Sequence, residues 1–143
     1  MLISPDKIFS ILYFALSIKP LYDTLLQNHI VQIKSRHFYA GTHKQWLRDR
    51  TDEAIAKGLP IFVSECAAME ASGDGPIDYK EWNKFVSWMD AKGLSWVAWS
   101  VSDKVETCSI LNPSAASNGK WKKKDVKEWG VLTKAALTSY LKK

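Results

Sequence analysis

The stretch LPIFVSECAAMEASGDG, residues 59–75, drives an apolar run straight into Glu65, then a cysteine, two alanines and a glycine-rich turn. Pro60 prevents any preceding helix from continuing, so the run from Ile61 reads as a short strand. Strict alternation puts Ile61, Val63 and Glu65 on one face and Phe62 and Ser64 on the other. The segment SGDG that follows is a turn signal, too short to cradle a phosphate.

Working outward, extended and helical patterns alternate. RHFYA, residues 36–40, is short and aromatic, with His37 and Tyr39 on one face. THKQWLRDRTDEAIAKG then reads as a helix: Leu47, Ala54 and Ile55 recur at helical spacing, and Gly58 supplies the stop. A second helix starts at Asp78, with Glu81 three residues on as in a capping box, and carries a stripe of Trp82, Phe85, Val86 and Met89 up to Gly93. LSWVAWSVS, from Leu94, is apolar almost throughout, as for a strand buried on both faces. A polar loop from Ser102 to about Lys127 precedes a last helix, whose expected inner stripe is Leu132, Ala135, Ala136, Ser139 and Tyr140. This βα–βα–βα order predicts an α/β fold with a parallel sheet and right-handed crossovers. Active sites in such folds collect at the carboxyl ends of the strands, where His37, Tyr39, Glu65 and Trp99 fall.

Composition narrows the function classes. At 143 residues, 46% hydrophobic and 24% charged, the chain suits one globular domain with a real core. Seven tryptophans favour a carbohydrate site modestly, because flat aromatic faces suit sugars. The net charge of +5 is densest in KWKKKDVKEW, residues 120–129, which lacks the spread and interleaving of a nucleic-acid module and reads as a solvated turn. Cys66, Cys108, His29, His37 and His43 are too scattered for a metal site, and no cofactor motif occurs. The apolar run Ile8–Ile18 is too short for a membrane span, which takes about 20 residues. As a signal peptide it is weak, since Asp6 adjoins Lys7 and no small-residue cleavage site follows; a buried helix fits equally.

HFYAGTH, PIFVSE and SWVAWSVSDKVETCS together resemble the last three β/α units of glycoside hydrolase family 5, specifically its bacterial-type endo-β-1,4-glucanases. The spacing agrees: 28 residues separate His37 from Glu65, and 34 separate Glu65 from Trp99. The resemblance covers residues 36–143 and implies a partial (β/α)8 TIM barrel that acts on β-1,4-glucan with retention. It implies that Glu65 is the nucleophile, flanked by His37 and Tyr39, with Trp99 as a platform under a sugar. Lys104 and Glu106 would hydrogen-bond sugar hydroxyls, and the expected partner is a β-glucan, not a membrane or nucleic acid.

The pattern also breaks. Cys66 and Ala67 follow Glu65, where many relatives have an aromatic residue and a glycine. A full barrel takes about 250 residues, and the family's Asn-Glu pair, which supplies the general acid/base, is absent from this sequence. Residues 1–35 resemble nothing in the family and are expected to be a divergent segment, with 36–143 the C-terminal part of a catalytic barrel. Asp103 and Glu106 lie on the side of the site, but nothing marks either as a replacement acid. The alternative is a non-catalytic remnant that binds glucan weakly through Trp99, or an inactive gene fragment. The family implies an extracellular setting, in which Cys66 and Cys108, at the same end of neighbouring strands, would either form a disulfide or remain two buried thiols.

Overall fold

The computed structural model describes residues 33–140. Its elements are β1 (Lys34–Tyr39), α1 (Ala40–Ala56), β2 (Ile61–Ala67), α2 (Tyr79–Ala91), β3 (Trp96–Ala98), a 3-10 turn (Lys123–Asp125) and α3 (Glu128–Ser139). The sheet runs β1-β2-β3 with both pairings parallel, which is the expected order of a partial barrel. The Ile8–Ile18 run lies outside the described residues.

Local chemistry sets the boundaries. Gly58, at φ 78, ends α1 in the left-handed region, and its N–H donates to the Ile55 carbonyl at 2.8 Å. Asp78 caps α2 by accepting from the Glu81 N–H at 3.0 Å. The reciprocal half of the expected capping box is not made. The Asp78 N–H instead donates to the Ala68 carbonyl, and the Glu81 carboxylate turns to Arg48 and Lys84. Where β1 gives way to α1, the Gly41 N–H donates to the Met69 carbonyl at 3.0 Å; a Cβ at Gly41 would lie 3.0 Å from that carbonyl, so only glycine lets the two strand ends meet.

The core lies between the sheet and the helices. Phe38 stacks on Phe85 with centroids 3.9 Å apart, and Trp82 meets Trp129 edge-on at 4.8 Å. Val63, Cys66, Met69 and Met89 are among the fully buried residues of the same cluster. Much of the tryptophan content is therefore structural.

Three expectations need correction. First, Glu65 does not share a face with Val63. The β1–β2 register runs Arg36↔Val63 and then His37↔Glu65, so Ser64 is an extra residue; opposite β3, Val63↔Trp96 and Cys66↔Ala98 show the same surplus. This bulge rotates Glu65 away from the core onto the face of Ser64, whose hydroxyl hydrogen-bonds that of Ser35. Cys66 takes the core-facing position instead, fully buried among Phe38, Val63 and Phe85. Second, β3 is only three residues long and Val97 is 48% exposed, because among the described residues β3 is an edge strand with one face open. Third, the buried stripe of α3 is Trp129, Gly130, Thr133 and Ala136, while Ala135 and Ser139 are exposed. Insertion of Trp129 beside Trp82 sets that phase.

Candidate active site

Each strand delivers a side chain to the same end of the sheet. β1 ends in His37 and Tyr39, the bulged β2 presents Glu65, and the chain leaves β3 through Trp99. Tyr39 Oη donates to Glu65 Oε1 at 2.5 Å, a short charge-assisted bond. His37 Nδ1 stands 3.6 Å from the other oxygen, Oε2, with its ring exposed. Burial, reinforced by the bond to Glu65, pushes the Tyr39 phenol well above its usual range, so it remains a proton donor throughout ordinary pH. One carboxylate oxygen is thus occupied, and the second faces an open, histidine-lined side.

Trp99 is anchored through its backbone. Its N–H donates to the Cys66 carbonyl at 2.8 Å, and its carbonyl accepts from Trp129 Nε1 at 2.8 Å. The indole itself is 44% exposed, on the β3 side of Glu65. This anchoring gives buried Trp129 a second role, which its position at the start of the last helix did not reveal.

Lys104 and Glu106 are not brought onto the Glu65 carboxylate. The Lys104 side chain is exposed, and the Glu106 carboxylate approaches the Cys108 thiol at 3.6 Å. Lys127 Nζ ties down this loop by donating to both of their carbonyls, at 2.6 and 2.8 Å. A shallow cavity of about 530 Å³ lies beside Glu106, between Asp74, Ile77, Thr107 and Trp129, and Glu65 does not line it.

Cys66 and Cys108 are both free and buried in this structure. Cys66 Sγ is turned into the core, 3.3 Å from the Val97 carbonyl, whereas Cys108 packs under the turn at Gly73. Burial raises both thiols above their ordinary values. Among the described residues no group of three His, Cys, Asp or Glu could hold a metal ion, and no helix is long and apolar enough to cross a membrane.

His43 was missed as a site residue. Its Nδ1 accepts the Tyr39 N–H at 2.9 Å and lies 3.2 Å from the Tyr39 carbonyl oxygen, which holds the chain where strand becomes helix. The readable signal is its position four residues after Tyr39, where a side-chain acceptor can satisfy a free N–H at a helix start.

Comparison with known proteins bears on what this arrangement does. The model of the family Cellulase (glycosyl hydrolase family 5) matches residues 16–105, beginning upstream of the boundary drawn at residue 36. Endoglucanase N of Pectobacterium atrosepticum is 43% identical over 94 residues, covering 66% of this chain and 21% of that protein. An endoglucanase of Clostridium saccharobutylicum is 39% identical over 101 residues, covering 71% of this chain and 22% of that protein. The catalytic domain of Thermobifida fusca endoglucanase Cel5A, solved as a variant in complex with cellotetraose, superposes with a TM-score of 0.69 at 25% identity, covering 74% of this chain and 35% of that one. The chain spans about a fifth of the length of the curated relatives it matches.

Proposed function

This chain belongs to the Cellulase family, glycosyl hydrolase family 5, and from that premise we propose that it carries the nucleophile half of a retaining β-1,4-glucan hydrolase site. The observation that carries this reading is the 2.5 Å bond from Tyr39 Oη to Glu65 Oε1 at the end of the central strand. A retaining glycosidase needs one ionised carboxylate to attack the anomeric carbon, and a protonated carboxyl about 5–5.5 Å away to protonate the departing oxygen. Tyr39 orients Glu65 and leaves Oε2, beside His37, to attack. The Oε2–C1 bond forms as the bond from C1 to the leaving oxygen breaks, and the electron pair departs with that oxygen. A water oxygen then bonds to C1 as the C1–Oε2 bond breaks, its proton passing to the group that first protonated the leaving oxygen, and the carboxylate returns to the Tyr39 donor.

In this reading the general acid is not one of the groups bonded to Glu65, and the family's Asn-Glu pair does not supply it. The sequence has no Asn-Glu pair, and the hydrogen-bonding and ion-pairing partners of Glu65 are Tyr39 and His37. Residues 36–143 are the C-terminal part of the catalytic barrel. Trp99 stacks against a glucosyl unit, and Lys104 and Glu106 bind hydroxyls farther along the chain. Of these two, Lys104 is the better supported, since the Glu106 carboxylate is directed toward Cys108. The substrate is a β-glucan oligosaccharide or polysaccharide, met outside the cell.

A second reading, glucan binding without turnover, is favoured by the exposed Trp99 indole together with the missing acid. An aryl β-cellobioside with a nitrophenolate leaving group separates the two, because that group departs without protonation. Carboxymethylcellulose needs the general acid, typically worth about 10²–10⁴ in rate. The purified chain is expected to turn over the aryl cellobioside in preference to carboxymethylcellulose, and Glu65→Gln to abolish that turnover. Binding with no turnover on either substrate supports the second reading. Turnover that survives Glu65→Gln contradicts the assignment of the nucleophile.

A further inference from the structure

Six of the seven tryptophans sort by what their indole N–H groups do; the seventh, Trp82, packs edge-on against Trp129 in the core. The N–H groups of Trp88, Trp96, Trp121 and Trp129 donate within the protein, to Asp52, Tyr140, Ala116 and Trp99 respectively. Trp121 is 39% exposed, but its bond to the Ala116 carbonyl explains it as an anchor for its own loop. Trp46 and Trp99 are the more exposed pair, at 52% and 44%, and among the described residues neither indole N–H has a partner. Both therefore offer a flat face and a hydrogen-bond donor to something outside the fold.

Their placement is not random. Trp46 rides on α1, which starts directly from the end of β1, and its ring lies 5.7 Å from that of His43. His43 holds the Tyr39 N–H, and Tyr39 holds Glu65, so contacts run unbroken from Trp46 to the carboxylate. Between His43 and Trp46 the helix is broken at Lys44, at φ 22 and ψ −147, where a non-glycine residue is strained. Strain of this kind persists only where surrounding structure enforces it, and it clusters at ligand-binding sites. Glu65 stands on the central strand, with Trp99 on the β3 side and Trp46 on the β1 side. Neighbouring strands lie about 4.8 Å apart, so a ligand reaching both indoles crosses about 10 Å of sheet and continues onto α1.

We propose that Trp46 is a second sugar-stacking subsite, engaging a glucosyl unit of a β-linked glucan on the side of Glu65 opposite Trp99. It rests on the reading of Glu65 and Trp99 as a glucan site. The equatorial hydroxyls of β-linked glucose leave the ring faces lined with C–H groups, which an indole face covers well. A short ligand satisfies one indole, whereas a longer one bridges both.

The test is calorimetric binding of cellobiose and cellotetraose to the full chain bearing Glu65→Gln, which removes turnover. Trp46→Ala is expected to weaken cellotetraose about tenfold, the loss typical of truncating an aromatic anchor, while leaving cellobiose unchanged. Trp99→Ala weakens both ligands, Trp121→Ala weakens neither, and Trp46→Phe restores most of the cellotetraose affinity. Thermal unfolding checks that each variant folds, and Trp46→Gln replaces Trp46→Ala if the latter does not. Cellotetraose affinity unchanged by loss of the Trp46 ring but reduced by Trp99→Ala overturns the subsite and leaves the rest of the site standing. Failure of the Glu65→Gln chain to bind either sugar overturns the glucan site itself, and the Trp46 subsite with it.

Discussion

Arg48 and Glu81 clamp α1 to α2 beneath the site, and breaking the clamp from its two ends should cost unequal amounts. Arg48 is 3% exposed, its Nη2 lies 2.9 Å from Glu81 Oε2, and its guanidinium sits 4.4 Å above the Phe85 ring centroid. Removing one partner of a buried ion pair costs about 3–5 kcal/mol when the other is left unpaired. Arg48→Met does not strand Glu81, because Lys84 Nζ remains 2.6 Å from Oε1. It also removes a buried Nη1 that lacks a partner, and the thioether keeps a contact with Phe85. The expected loss is therefore about 1.5–2.5 kcal/mol. Glu81→Leu leaves the buried guanidinium with only the Gln45 amide oxygen, so its loss is larger, about 3–4 kcal/mol. The double variant exchanges the pair for apolar packing and should lie within about 1 kcal/mol of the parent. Urea unfolding at pH 7, followed by tryptophan fluorescence, measures all four proteins. Arg48→Met costing more than Glu81→Leu, or a double variant as unstable as the sum of the two, would refute this account of the clamp.

Three further outcomes are expected. The Lys84 ammonium, with the Arg48 guanidinium, holds the Glu81 carboxyl below its ordinary value. Its folded value lies below its unfolded one, so its stabilisation is complete above the unfolded value near 4.5 and is lost as pH falls through the folded value; the urea midpoint should fall on acidification, and less steeply in Glu81→Gln. Gly130→Ala should destabilise by about 1–3 kcal/mol, despite the better helix propensity of alanine. The new Cβ would lie 2.6 Å from Val126 Cγ1 and 2.8 Å from the Ile110 carbonyl oxygen, and thermal unfolding reads the loss. Cys66 and Cys108, both buried, should resist a thiol reagent in the native protein and both react once it is denatured without reductant; a denatured protein with no reactive thiol would show that they are bonded.

What the sequence disclosed follows what period and punctuation can encode. Alternating elements gave the parallel order, Gly58 and Asp78 marked helix ends, and Trp82, Phe85 and Met89 marked a buried stripe. The bulge at Ser64 was hidden because it breaks the period-2 rule by one residue, with no glycine or proline to announce it. That single residue decides whether Glu65 or Cys66 faces the core. The open face of β3 was hidden as well, since an apolar run is the same whether or not a neighbour covers it. The convergence of His37, Tyr39, Glu65 and Trp99 on one end of the sheet was legible through three ordered motifs. His43 was passed over because it was weighed only as a metal ligand, and its value is as an acceptor for a backbone N–H.

The central claim is that Glu65 is a nucleophile, and covalent trapping tests it most directly. A dinitrophenyl 2-deoxy-2-fluoro-β-cellobioside supplies a leaving group that needs no acid, and its fluorine slows release of the glycosyl-enzyme. Mass spectrometry of the digested protein should find the fluorocellobiosyl mass on the peptide containing Glu65, and no adduct in Glu65→Gln. No adduct on the parent chain, or an adduct on a residue other than Glu65, would contradict the claim.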